Sequence, residues 1–334
     1  MSLALCIIGC GHFAKEFATA VQFSDLGDKR SGIELFFASR DRKKAQDYCQ
    51  MFNGTDSFGS YETAAGDPRV HALYLCTPHH LHLHHALLAA RYGKHILVEK
   101  PIARTQEEAE QMIMAARDAG IKLMVAENYR YMEVVQYSRQ LLSQGTIGTL
   151  RLVQIQDVSG CIPDSWRTER AMMGGGLFID RGIHAADLLI NFAGMPEEVY
   201  AARLPQALQS LEGEDGMVVM ARLQGGAIGL INQTWRLSKQ PSNLWVSISG
   251  TRGSIYFEPD SSVLIMETQE RKTTSSFPQD RRGLVSMIRE FKESIENDRP
   301  LLTPGEEGLK ALKIVLNAYE SAARCAPTKM VASV

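Results

Sequence analysis

Between Leu3 and Ala14 the chain commits itself to one kind of fold. An apolar run, Leu3–Ile8, breaks at Gly9-Cys10-Gly11-His12-Phe13-Ala14, and apolar residues at helical spacing (Phe13, Phe17, Ala20, Val21) follow at once. This is a G-x-G-x-x-A turn between a strand and a helix. The first glycine permits a tight turn, the second lets the backbone approach a pyrophosphate, and the alanine lets helix and strand pack closely. The N–H groups and positive dipole end of the helix then face the phosphates. A dinucleotide is the ligand such a turn serves, with Gly9, Gly11, His12 and Phe13 as expected contacts.

Periodicity beyond the motif extends the same plan. Strand-like runs at Glu34–Ala38, Ala72–Cys76, His95–Val98 and Leu123–Ala126 alternate with helical stretches at Asp41–Phe52, Leu81–Tyr92 and Thr105–Ala119. Gly93 and Gly120 stop two of the helices, and Glu107 and Glu108 favour the start of the third. Strands alternating with helices predict a parallel sheet covered on both faces. After about Glu127 the pattern changes. A helix at Val134–Ser143 leads into strand candidates at Leu150–Val158, Glu198–Leu204, Met217–Leu223, Ala227–Trp235, Trp245–Ser249, Ser254–Phe257 and Val263–Met266. Gln224-Gly225-Gly226 reads as a hairpin turn, and helices at Gly283–Asn297 and Pro304–Ala323 close the chain. The expected fold class is α/β plus α+β. Residues 1–126 form a Rossmann doubly wound parallel sheet. Residues 127–334 form an open, mainly antiparallel sheet domain for substrate binding and oligomerisation, whose terminal helix can pack back on the first domain.

Charge and cysteine usage narrow the partners. A net charge of −2 gives no reason to invoke nucleic acid or an anionic membrane. No apolar run reaches the roughly 18 residues needed to span a bilayer. The first residues lack the basic leader of a secretory signal, and the six cysteines form no C-x-x-C pair. They read as free thiols of a reducing compartment, so a cytoplasmic location is expected. His79, His80, His82, His84 and His85 crowd together without an acid or cysteine to complete a ligand set, so no metal is expected there. If the sheet face not packed on helices is apolar, it must be covered, which predicts a homodimer or homotetramer through the C-terminal sheet.

The end of the second strand bears on the choice of cofactor. It reads Ala38-Ser39-Arg40-Asp41, followed by Arg42, Lys43 and Lys44. Arg40 stands where an NAD site usually carries the carboxylate that accepts from the ribose 2′-OH. A guanidinium there, with Ser39 and Lys44 nearby, suits a 2′-phosphate, so NADP is the expected preference. Asp41 next door leaves NAD open.

Two further motifs complete a trio. One is Thr77-Pro78-His79-His80-Leu81-His82, continued by Gly93-Lys94-His95-Ile96-Leu97-Val98-Glu99-Lys100-Pro101. The other is Gly174-Gly175-Gly176-Leu177-Phe178-Ile179-Asp180-Arg181-Gly182-Ile183-His184. With the glycine turn, in this order and spacing, the chain resembles the glucose–fructose oxidoreductase / inositol dehydrogenase / rhizopine catabolism (Gfo/Idh/MocA) family from about Leu5 to about Ala323. The resemblance implies a Rossmann domain joined to an open sheet domain, with the nicotinamide between them. It implies that Lys100 contacts substrate and nicotinamide, that Asp180 and His184 complete the site, and that Thr77, Pro78, His82 and Glu99 line the cofactor. The family often has asparagine where this chain has His79, itself an expected cofactor contact. Asn128, within Asn128-Tyr129-Arg130-Tyr131, is a further one, and Tyr131, Trp166 and Arg167 fall in segments that resemble the family's cleft.

The chemistry of these side chains fits hydride transfer at a CH–OH carbon. Such a reaction needs a group that moves a proton and a group that steadies charge on oxygen. Histidine titrates nearest neutrality, which makes His184 the proton carrier. Asp180, four positions earlier, shares its face if the stretch is helical, and orients the imidazole or binds a hydroxyl. Lys100 stabilises the developing oxyanion. Tyr131, Trp166, Arg167 and Trp235 are the candidates to hold a sugar, inositol or related polyol, since aromatic rings stack on sugar rings and Arg167 donates in pairs. Trp235 is equally readable as sheet core. The alternatives are a glycosidase or lyase that retains its cofactor, and a dinucleotide-sensing regulator without catalysis.

Overall fold

A strand buried on both faces reads as an unbroken apolar run, and every residue of β1 (Leu3–Ile8) is buried. The computed structural model describes residues 2–27, 32–235, 244–258, 263–277 and 282–330. The chain divides into two units, Met1–Glu127 with Leu284–Leu309, and Asn128–Gly283 with Lys310–Val334.

In the first unit β1 is followed by α1 (His12–Gln22), β2 (Ile33–Ala38), α2 (Arg42–Met51), β3 (Asp56–Phe58), α3 (Tyr61–Gly66), β4 (Ala72–Leu75), α4 (His82–Arg91), β5 (His95–Val98), α5 (Gln106–Asp118) and β6 (Leu123–Val125). The strands form one parallel sheet in the order β3-β2-β1-β4-β5-β6, the doubly wound dinucleotide order. Asp41, Ser60 and Thr105 cap α2, α3 and α5 through their side chains, each satisfying an otherwise unpaired backbone donor. The expected Rossmann sheet is therefore present, with β3 and α3 added to it.

The second unit begins with α6 (Glu133–Ser143), β7 (Leu150–Ser159), α7 (Arg170–Met173) and α8 (Ile183–Ala193). It continues through β8 (Glu198–Arg203), β9 (Gly216–Arg222), β10 (Ile228–Trp235), β11 (Val246–Gly250), β12 (Gly253–Phe257), β13 (Val263–Thr268) and β14 (Lys272–Ser276). The helix α9 (Leu284–Glu296) belongs to the first unit; α10 (Gly305–Arg324) and β15 (Thr328–Lys329) end the chain. The nine-stranded sheet runs β14-β13-β12-β11-β7-β10-β9-β8-β15. Only β7 and β10 pair in parallel; the other neighbours are antiparallel. Gln224–Gly226 does turn β9 into β10.

Alternation sorts the faces of this sheet. Val153, Ile155, Val219, Ala221 and Ile231 are buried, and α8 packs on that side: a Cβ added at Gly229 would stand 2.7 Å from Leu189 Cδ1. On the opposite face Tyr200, Val218 and Met220 are exposed, with Tyr200 paired to Met220 across β8 and β9.

Candidate active site

In the first unit the glycine turn is built as its sequence requires. Gly9 has φ +97°, and a Cβ there would come within 3.1 Å of the Cys76 carbonyl oxygen and of Thr77 Cγ2. Only glycine fits that conformation comfortably. Gly11 differs: a Cβ there would meet nothing within 4 Å, which leaves room beside its backbone. Gly11 is also the N-cap of α1, with no side-chain cap bond and no acidic residue in the first turn. An uncapped helix start with open space before it is what a pyrophosphate needs. The residues present thus fit the dinucleotide that the motif implies.

The Thr77 and Lys100 segments of the second motif gather near this turn. Thr77 packs on Gly9 and shares a 3.0 Å hydrogen bond with His85 Nδ1. Burial pushes His85 down to about 3, so it is neutral. His82 is fully buried, with Nε2 2.9 Å from the Thr77 carbonyl oxygen and Nδ1 3.0 Å from that of Pro101. This corrects the expectation that His82 lines the cofactor: both of its nitrogens face main-chain carbonyls, and it ties the Thr77 loop to the Lys100-Pro101 turn. His79 is also buried, its ring 5.6 Å from that of His82, whereas Pro78 is partly exposed. Among the described residues no cluster of potential metal ligands forms.

Lys100 is 7% exposed, with Nζ 5.8 Å from the centre of the Phe13 ring. Beside it, Glu99 accepts a hydrogen bond from the buried phenol of Tyr74. Burial pushes the Glu99 carboxyl up to about 7, against the pull of the Lys100 cation and the Tyr74 hydrogen bond. At the end of β2 the Ser39 hydroxyl accepts from the Asp41 N–H, and Asp41 accepts from the Lys44 N–H at 3.2 Å. Asp41 is thus engaged as the cap of α2. Arg40, His12 and Lys44 are exposed, and Arg40 hydrogen-bonds Tyr61.

In the second unit a π-helical turn, Phe178–Gly182, carries Asp180 and runs straight into α8, which carries His184. Single π turns are rare and recur at functional sites. Asp180 is buried, and its Oδ2 lies 3.5 Å from Arg167 Nε. Arg167 lies over the Trp166 ring, 4.5 Å from its centre. Arg181 donates to Asp157 Oδ2 from Nε and Nη2, at 3.0 and 2.7 Å. The partly exposed His184 ring stacks on Tyr129 with centres 4.2 Å apart, and Tyr129 meets Trp245 edge-on at 5.0 Å. A buried pair, Arg130 Nε to Asp187 Oδ2 at 2.7 Å, fixes the Asn128–Tyr131 turn to α8.

Within this unit the structure sets Arg167 against both Asp180 and Trp166 and carries His184 four residues after Asp180, but it does not bear out every expectation. Trp235 is 2% exposed and lies in the sheet core, not in a cleft. Tyr131 is 3% exposed and equally inaccessible as an open wall. The Asn128 amide donates to the Arg282 carbonyl at 2.6 Å and so ties its own turn to the segment before α9. Tyr129, Trp245, Asp157 and Arg181 are the site residues that the motifs did not single out for a role. Tyr129 carried a signal, lying in a stretch already resembling the family's cleft.

Comparison with known proteins agrees with this geometry. Residues 3–127 match the family model described as an oxidoreductase family with an NAD-binding Rossmann fold, and residues 135–256 match the GFO/IDH/MocA C-terminal domain. Levoglucosan dehydrogenase of Pseudarthrobacter phenanthrenivorans is 30% identical over 67% of this chain and 65% of its own length, just under two thirds. The trans-1,2-dihydrobenzene-1,2-diol dehydrogenase of Mus musculus is 32% identical over 76% of this chain and 74% of its own. A solved levoglucosan dehydrogenase in complex with NADH superposes with a TM-score of 0.90 at 23% identity, over 100% of both chains, which shows the shared fold. A doubly wound dinucleotide unit followed by this sheet unit places the chain in the class of oxidoreductases with an NAD-binding Rossmann fold. The chain belongs to the Gfo/Idh/MocA oxidoreductase family. Among the described residues no helix is long and apolar enough to cross a membrane.

Proposed function

We propose that the enzyme transfers a hydride between a nicotinamide cofactor and the hydroxyl- or keto-bearing carbon of a sugar, inositol or related polyol. What supports this reading is that one helical run carries both groups four residues apart, the Asp180 carboxylate 3.5 Å from Arg167 and the His184 imidazole stacked on Tyr129. When bound, the nicotinamide supplies the hydride acceptor or donor. His184 takes the hydroxyl proton as hydride leaves carbon, or returns it in reduction. Asp180, acceptor-only when ionised, holds a substrate hydroxyl or the imidazole. Lys100 meets the negative charge that grows on the substrate oxygen. The dehydrogenases to which the chain is similar act, by name, on levoglucosan and on trans-1,2-dihydrobenzene-1,2-diol, which supports a ring carrying neighbouring hydroxyls. A panel of pyranoses, anhydrosugars, inositols and cyclic diols, followed by nicotinamide absorbance, tests the reading. Turnover on at least one class is expected; none on any would contradict it.

NADP is the proposed preference, because Arg40 is exposed where the adenosine ribose 2′ position is expected and Asp41 is engaged as a helix cap. Replacing Arg40 by alanine should raise KM for NADP roughly tenfold or more while leaving that for NAD near its starting value, since hydrogen bonds to charged groups contribute about 1.5–3 kcal/mol. A wild-type enzyme that strongly prefers NAD would refute the assignment.

We also propose that the exposed sheet face bearing Tyr200, Val218 and Met220 joins copies of the chain as a homodimer or homotetramer. Light scattering should report an oligomer at micromolar concentration, and Met220→Glu should weaken it. A wild-type monomer would rule this out.

A further inference from the structure

The start of the helical run that carries Asp180 is held by groups far away in the sequence. The first N–H groups of a helix have no intrahelical partner. Here Leu177 N–H donates to the Glu214 carbonyl at 2.7 Å, and Phe178 N–H to Glu214 Oε1 at 2.8 Å. Gly176 N–H and Ile179 N–H both donate to the Tyr319 hydroxyl oxygen, at 3.2 and 3.0 Å. Tyr319 in turn donates its proton to Glu214 Oε1 at 2.9 Å. Two side chains and one carbonyl therefore satisfy every donor from Gly176 to Ile179, and the next residue is Asp180.

The glycines before the helix exist for this contact. A Cβ at Gly176 would lie 2.2 Å from the Glu214 carbonyl oxygen, one at Gly175 2.3 Å from the Tyr319 hydroxyl, and one at Gly213 2.3 Å from the Gly175 carbonyl oxygen. The loop presenting Glu214 is itself fixed: Asp215 Oδ2 accepts from the Ala207 and Leu208 N–H groups at 2.7 and 2.6 Å, and the Asp215 carbonyl accepts from Trp235 N–H at 2.8 Å. Nothing in the proposed reaction uses Glu214 or Tyr319, yet both are held where the helix begins.

We propose that Tyr319 and Glu214 are positioning residues that set the place of Asp180, and of His184 one turn later, by acting together as a remote cap for the π turn. The inference rests on the reading of Asp180 and His184 as the polar wall of the active site. Losing the Tyr319 hydroxyl strands two buried donors at once, and the turn must move to satisfy them.

The test combines kinetics with a probe that needs no turnover. Tyr319→Phe should lower kcat roughly tenfold to a hundredfold, as small displacements of reacting groups do, while dinucleotide affinity stays at the wild-type value. Glu214→Leu should behave likewise. Glu214→Gln, which keeps the accepting oxygen, should retain most of the activity; a merely structural role would not order the three variants this way. In parallel, the His184 ring resonance, which the stacked Tyr129 ring is expected to shift in the wild type, should move in Tyr319→Phe and Glu214→Leu and stay in place in Glu214→Gln. Wild-type kcat together with an unmoved His184 resonance in Tyr319→Phe would overturn the proposal. If Tyr319→Phe fails to fold, the Glu214→Leu and Glu214→Gln pair decides in the same terms. If the wild type itself turns over no sugar, the proposed reaction fails, but the resonance still reports whether the cap positions His184.

Discussion

Replacing His184 by alanine lowers kcat by roughly a hundredfold or more, the size of effect that follows loss of a general acid or base. Three features of the structure lead to this expectation. The imidazole is only partly exposed, so its orientation is set by packing. Tyr129 stacks on one face with centres 4.2 Å apart, and Trp245 closes on Tyr129 edge-on. The ring also follows Asp180 by one turn on a continuous helical run. An alanine at this position removes the proposed proton carrier and leaves the Rossmann unit intact, so dinucleotide affinity should change little. The effect should therefore fall on kcat more than on the KM for cofactor. Steady-state kinetics with both substrates varied separates the two, and a variant that turns over at the wild-type rate removes His184 from the mechanism.

Lys100→Ala should cost at least as much, because preorganised charge aimed at a developing oxyanion supplies a large share of many rate enhancements. Lys100 is not a solvated surface lysine. It is 7% exposed, lies over the Phe13 ring at the glycine turn, and follows Glu99 at the end of β5. The loss also acts on its neighbour. The Lys100 cation pulls the Glu99 carboxyl down, and Glu99 still lies at about 7; without that cation it moves further up and is mostly protonated at neutral pH. The variant should thus combine low kcat with a displaced pH profile. Lys100→Arg keeps the charge but not the compact ammonium, and should recover only part of the rate. Full activity in Lys100→Ala would mean that charge on the substrate oxygen is met elsewhere.

What was legible in the sequence follows from how each element is stabilised. β1, β2 and β4 are buried on both faces and announce themselves as apolar runs, and the glycine turn is local chemistry. The edge strand β3 is Asp56-Ser57-Phe58, with too few apolar positions to signal, and it is held by its pairing to β2. The closing strand β15, Thr328-Lys329, exists only through β8. The π turn at Phe178–Gly182 has no periodicity of its own, because its donors are answered by Glu214 and Tyr319 from distant segments. Trp235 was open to a better reading: strand alternation puts it on the side of Gly229 and Ile231, which faces α8. Gln233, a polar residue in that series, hides the pattern. The motif residues proposed to do the chemistry were visible as types and spacings. Contacts such as the Tyr129 ring on His184 and the Arg181–Asp157 pair beside Asp180 were not, since they join segments far apart in the chain.

The most direct measurement follows a label from substrate carbon to cofactor. A polyol that is turned over, deuterated at the reacting carbon, is incubated with the enzyme and oxidised NADP or NAD, and the reduced nicotinamide is weighed by mass spectrometry. Wild-type enzyme should deliver deuterium to the nicotinamide, and His184→Ala and Lys100→Ala should deliver it at least roughly a hundredfold more slowly while still binding the dinucleotide. Label that never reaches the nicotinamide, or that reaches it as fast in both variants as in the wild type, would contradict hydride transfer supported by these two side chains.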